Sequence, residues 1–186
     1  MHKNKGPVYY GDYLQLEKLL DAQAPLSRKY SDENNKECHD ETLFIIVHQV
    51  YELWFKQMLH EFDSIVEIFS RDYISENSLP PLIQRLERVK KIQTLLLAQF
   101  DVIETMSPMD FLEFRDLLVP ASGFQSVQFR EIEIKMGLHT NDRLDVDREF
   151  FVGRLNEKDR AHLEKLDNAP TLLNLMEKWL ERLPFT

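Results

Sequence analysis

A single cysteine, Cys38, excludes an intrachain disulfide, and one thiol without a CxxC pair or Cys/His spacing makes neither a zinc site nor a redox couple. No apolar run reaches the length that spans a bilayer. The lysines of the opening MHKNKGPVYY are not followed by an apolar stretch, so no signal peptide is expected and a reducing cytoplasm fits. Basic residues are too few for a cationic face: 23 Lys and Arg stand against 32 Asp and Glu, a formal net charge of -9. Nucleic acid and anionic membrane surfaces are therefore not expected as partners. With five glycines there is no Gly-rich phosphate loop, and neither a GxSxG nor an HExxH motif accompanies the Ser, His and Asp residues present. Internal repeats and low-complexity stretches are absent too.

What remains is a chain of 186 residues, 43% apolar and 30% charged, the composition of one folded domain over 1–186. No segment alternates as a strand would, so the expected class is all-α. From Asp40 to Arg71, Phe44, Val47, Tyr51, Trp54, Met58, Phe62, Ile65 and Phe69 recur at steps of three and four, the period of an amphipathic helix. Ser78 ahead of Pro80 and Pro81 suits a helix start, and Leu82, Leu86, Val89, Leu96, Phe100 and Ile103 continue a second stripe. Ser107 with Asp110, and Ser122 with Gln125, have capping-box spacing, and Gly137 suits a left-handed helix end. Glu157 to Leu166 and Pro170 to Leu183 read as two further helices. Loops are expected at Ser27 to Lys36, Ser75 to Pro81, Val119 to Ser122 and Gly137 to Asp147.

Two residues sit awkwardly on this pattern. His48 falls on the apolar stripe, four after Phe44 and three before Tyr51, where it is either a core histidine satisfied by a neighbour or a group facing a ligand. Arg115 falls four after Phe111 and three before Leu118, on the apolar face of a short helix. A guanidinium cannot shed its charge, so a buried one requires an anion: a carboxylate such as Asp110 or Glu113, or that of a ligand. His60, His139 and His162 have solvated or loop contexts and are assigned no chemistry.

Three blocks carry a more specific signal. They are Tyr10-Gly11-Asp12-Tyr13-Leu14, then the unbroken run His39-Asp40-Glu41-Thr42-Leu43-Phe44-Ile45-Ile46-Val47-His48-Gln49-Val50-Tyr51-Glu52-Leu53-Trp54-Phe55-Lys56, then Phe114-Arg115 with Pro120-Ala121-Ser122-Gly123-Phe124-Gln125-Ser126. In that order they resemble the tryptophan 2,3-dioxygenase family, from about Val8 onward, with Trp179-Leu180-Glu181-Arg182 similar again near the end. The resemblance is to the N-terminal two-thirds of the family's sequence.

The resemblance implies an all-helical fold of the tryptophan/indoleamine dioxygenase type and a haem b enzyme that opens the indole ring of L-tryptophan with O2, giving N-formyl-L-kynurenine. It implies a cytoplasmic homotetramer. His48 would be the distal catalytic histidine, accepting a hydrogen bond from the indole N–H. Arg115 would pair with the substrate carboxylate, and Phe44, Ile45, Ile46, Val47, Phe111, Phe114 and Leu118 would surround the substrate, with Tyr10 and Leu14 closing a neighbouring subunit's pocket. Ser122, Gly123, Phe100 and Phe129 would border the haem. The family's proximal haem histidine has no match among the six histidines here, so the axial ligand is expected from outside this chain and no metal-ligating residue is assigned within it. The alternative expectation is a catalytically inactive homologue acting as an indole-binding or helical interaction module.

Overall fold

The computed structural model describes residues 6–32, 36–138 and 155–183, and among these every regular element is helical. The expected loop from Gly137 to Asp147 and His139 lie, beyond Leu138, outside the described residues. The helices are α1 (Tyr10–Leu14), α2 (Leu16–Leu20), α3 (Leu26–Lys29), α4 (His39–Phe69), α5 (Leu79–Ala98), α6 (Phe100–Ile103), α7 (Pro108–Arg115), α8 (Val127–Met136), α9 (Glu157–Asp167) and α10 (Leu172–Glu181). The chain resolves into two compact units, one of residues 1–47 and 103–119, the other of 48–102 and 120–186. None of the described helices is long and apolar enough to cross a membrane.

The first unit is organised by one buried carboxylate. Glu41, in the first turn of α4, is 1% exposed, and its two oxygens accept the backbone N–H groups of Leu26 at 2.7 Å and Ser27 at 2.8 Å. Those are the first amides of α3, which a helix start leaves without internal acceptors, so the negative charge is matched by two donors at the positive end of the turn. Ser27 is buried as well, and its hydroxyl accepts the Cys38 amide at 3.0 Å. This is why Leu26–Lys29 folds as a helical turn where the polar sequence led us to expect a loop: its acceptor comes from a residue distant in sequence.

In the second unit the α4 stripe is buried much as its period predicts. Met58, Phe62, Ile65 and Phe69 pack with Leu82, Val89, Ile92 and Leu96 of α5, Ile132 of α8, and Leu172 and Leu175 of α10. At ~25 cal/mol per Å² of apolar surface removed from water, each fully buried side chain of this size contributes about 1.5–3 kcal/mol, which makes this cluster the main source of the unit's stability. Glu61, also inside, is matched by Arg88 at 2.7 Å and Gln57 at 2.6 Å. A 3-10 turn, Glu76–Ser78, runs straight into α5, shortening the loop expected up to Pro81. The second stripe ends sooner than its period implied: α5 stops at Ala98, and Phe100–Ile103 form a separate turn.

Both predicted capping boxes form, although the one at Ser122 opens a 3-10 turn, Gly123–Gln125, and Ser126 caps α8 itself. Gly137 closes α8 at φ 118, the left-handed region. Lys135 on α8 pairs with Asp63 of α4 and with Glu131 at 2.9 Å, and Glu131 accepts from His162 of α9 at 2.9 Å. Burial alone would raise the Glu131 carboxyl; the bonds from His162 and Lys135 and their charges outweigh it and hold the carboxyl below its ordinary value.

Two outcomes follow from these contacts. Glu41→Ala should remove two charge-assisted bonds and lower the unfolding free energy by about 2–4 kcal/mol, read from urea unfolding. Because the folded Glu131 carboxyl is depressed, its contribution is present above the ordinary carboxylate range and is lost as pH falls through the depressed value. Urea midpoints measured from neutral to acid pH should therefore decline, and Lys135→Met should shrink that decline.

Candidate functional site

In the first unit three phenylalanines close into a triangle. The Ser107–Asp110 capping box sets the start of α7, and the three-residue step between Phe111 and Phe114 puts both rings on one side of it. Phe44 of α4 meets Phe111 at 5.7 Å with planes 29° apart and Phe114 at 5.6 Å with planes 66° apart, while Phe111 and Phe114 stand at 90°, 5.5 Å apart. Phe114 is fully buried, and Phe44 and Phe111 are half-buried. The edges and faces of such rings attract each other, so the triangle is a rigid apolar wall.

Arg115 follows the buried Phe114 directly, at the last position of α7, and is exposed. It forms no ion pair with any described residue, neither Asp110, which instead accepts the Ser107 amide at 3.1 Å, nor Glu113. This corrects the expectation of an arginine on a buried face. α7 ends at Arg115 and gives way to a 3-10 turn at Asp116–Leu118, so the position four after Phe111 is a helix end open to solvent. Val47 is buried, Ile45 and Leu118 are half-buried and Ile46 is exposed. Tyr10 and Leu14 are exposed on α1, which buries no residue.

The second unit holds the remaining expected residues. His48 is exposed, not buried. An apolar stripe of about 100° leaves His48, one position past the buried Val47, at its edge. Phe100 and Phe129 are not isolated wall residues but the ends of a row of rings. Phe100 lies 6.1 Å from Tyr51, Tyr51 lies 6.0 Å from Phe55, and Phe55 lies 5.5 Å from Phe129. The two end rings are 53% and 40% exposed, so the row presents an apolar, aromatic edge to solvent. Sequence reasoning missed Phe55 and placed Tyr51 only in the core; their four-residue spacing on α4 was the available signal. Ser122 caps the turn opened by Gly123, beside which a Cβ would meet nothing within 4 Å.

Among the described residues no three His, Cys, Asp or Glu side chains are grouped so as to hold a bare metal ion. A groove of about 770 Å³ between α4 and α5, lined by Val50, Leu53, Trp54, Arg88, Ile92 and Leu95 among others, contains none of the expected site residues.

The sequence pattern of the tryptophan 2,3-dioxygenase family matches residues 1–186. A protein named tryptophan 2,3-dioxygenase from Alteromonas mediterranea is 52% identical over 184 residues, 99% of this chain and 50% of that protein. Its counterparts from Bdellovibrio bacteriovorus and Dictyostelium discoideum are each 50% identical, over 96% of this chain and 49% and 44% of those proteins. The chain thus spans about half the length of the curated relatives it matches, a smaller share than the two-thirds expected. Motif order locates a segment within a family but does not measure what flanks it.

The two readings of Arg115 separate on stability. Phe114→Ala should cost about 3–5 kcal/mol in chemical unfolding, as expected for a fully buried ring. Arg115→Ala should stay within about 0.5 kcal/mol of the parent, whereas loss of a structural ion pair in a buried setting would cost far more.

Proposed function

This chain belongs to the tryptophan 2,3-dioxygenase family, and on that basis we propose that it serves a haem-dependent dioxygenase that opens the indole ring of L-tryptophan with O2, giving N-formyl-L-kynurenine. The observation that carries the reading is the Phe44–Phe111–Phe114 triangle with the guanidinium of Arg115, which forms no ion pair among the described residues, directly after its buried ring. An indole and a carboxylate ask for that pair of features: an aromatic, apolar wall, and a planar cation that can take both carboxylate oxygens. By the family resemblance His48, exposed on α4, would accept the indole N–H and orient the ring.

The cofactor reading rests on the row from Phe100 through Tyr51 and Phe55 to Phe129, whose aromatic edge fits the face of a flat porphyrin. Haem, when bound, supplies the activation of O2. Ser122, Gly123, Phe100 and Phe129 would border it, and the open space beside Gly123 leaves room for a close approach. No step is assigned to an axial ligand within this chain. Assembly into a homotetramer, with Tyr10 and Leu14 covering a neighbour's pocket, is supported by α1 and α2: neither buries a residue, and Tyr9, Tyr10 and Tyr13 are exposed. A second reading, an indole-binding module without oxidation, is favoured by the same Arg115 arrangement, which needs no cofactor.

The test is an optical titration of the purified chain with haem, with and without L-tryptophan, followed by assay for N-formyl-L-kynurenine. The expected result is a haem band perturbed by L-tryptophan, with the apparent affinity for the amino acid falling about 10- to 100-fold in Arg115→Ala. Calorimetric binding of L-tryptophan without haem, lost in Arg115→Ala and without product, would select the module reading. No response to L-tryptophan in any format would overturn both.

A further inference from the structure

The Tyr51 hydroxyl donates a 2.8 Å hydrogen bond to the Leu96 carbonyl. Leu96 is in the last turn of α5, among the carbonyls that a helix end leaves without an intrahelical donor. Two residues after it the helix stops, and the chain re-enters a separate turn at Phe100. The direction of that break sets where the Phe100 ring stands, and the same Tyr51 packs its own ring on Phe100, 6.1 Å away and 60° inclined. One side chain of α4 therefore holds both the carbonyl before the break and the ring after it. Burial raises the Tyr51 phenol above its ordinary value, so the hydroxyl keeps its proton and remains a donor.

We propose that Tyr51 is a positioning residue for the cofactor face, acting through Phe100: its hydrogen bond to Leu96 fixes the α5–α6 break and so aims the exposed end ring of the row at a porphyrin. The proposal rests on the reading of that row as the cofactor face. A merely structural tyrosine would add stability without influencing ligand affinity, and the two roles separate experimentally.

Metal-free protoporphyrin IX is the suitable probe, because its binding needs no axial ligand and reports the aromatic face alone. Fluorescence titration into the whole chain would compare the parent, Tyr51→Phe, Phe100→Ala and the double variant, at a temperature where thermal unfolding shows each to be fully folded. Ile132→Val, a core change of comparable stability cost, is the control. Tyr51→Phe should weaken porphyrin binding about fivefold, the worth of one ordinary hydrogen bond. Phe100→Ala should weaken it at least as much, the double variant should be no weaker than Phe100→Ala, and Ile132→Val should bind as the parent does. Parent-like binding by Tyr51→Phe, full additivity in the double variant, or an equal loss in Ile132→Val would overturn the positioning role while leaving the cofactor face standing. Failure of the parent to bind the porphyrin, or parent-like binding by Phe100→Ala, would overturn the cofactor face and the positioning role with it.

Discussion

Each of the two aromatic groups takes rings from α4, a single helix of 31 residues. Its three- and four-residue steps carry Phe44 and Val47, then Tyr51 and Phe55, then the buried run Met58, Phe62, Ile65 and Phe69. A helix of that length is not held by propensity; it is held by the apolar stripe it buries. A proline or glycine between Tyr51 and Phe62 would cost more than local stability, because the register of Tyr51 and Phe55 against the buried run that follows them would change.

Polar groups inside this scaffold are placed where the backbone needs them. Glu41 supplies acceptors to the start of α3, Tyr51 supplies a donor to the end of α5, and Glu61 is closed off by Arg88 and Gln57. In each case the carboxylate or hydroxyl answers an unmet partner created by a helix end or meets an opposite charge, which is the condition under which withdrawing it from water is tolerated. The site cations obey a different rule. Arg115 is exposed and unpaired among the described residues, so its desolvation is deferred until a ligand brings an anion to it.

Where the sequence reading and the structure part, the residue stands at a helix end or at the edge of an apolar stripe. His48 and Arg115 were placed on buried faces by counting steps of three and four. The count is right about the helix but silent on what covers the face: Arg115 is the last residue of α7 and open to solvent, and His48 lies at the edge of the α4 stripe. Phe100 was read as part of the α5 stripe, yet the helix ends two residues earlier and the ring is left half exposed. Helix ends are decided by what satisfies the last amides and carbonyls, and for α3 and α5 those partners, Glu41 and Tyr51, come from α4.

The sequence by itself determined the all-α class, the long amphipathic helix, the capping boxes at Ser107 and Ser122, the left-handed end at Gly137 and the family, because each of these is written in local spacing or in contiguous motif blocks. It also identified Phe44, Phe111, Phe114, Phe100 and Phe129. Only the tertiary structure decided that the first three close into a triangle, that Tyr51 and Phe55 link the other two into a row, and that Arg115 has no counter-charge among the described residues. Those facts depend on distances between residues far apart in the chain, and such distances are set by how side chains pack, for which a one-dimensional pattern carries no measure.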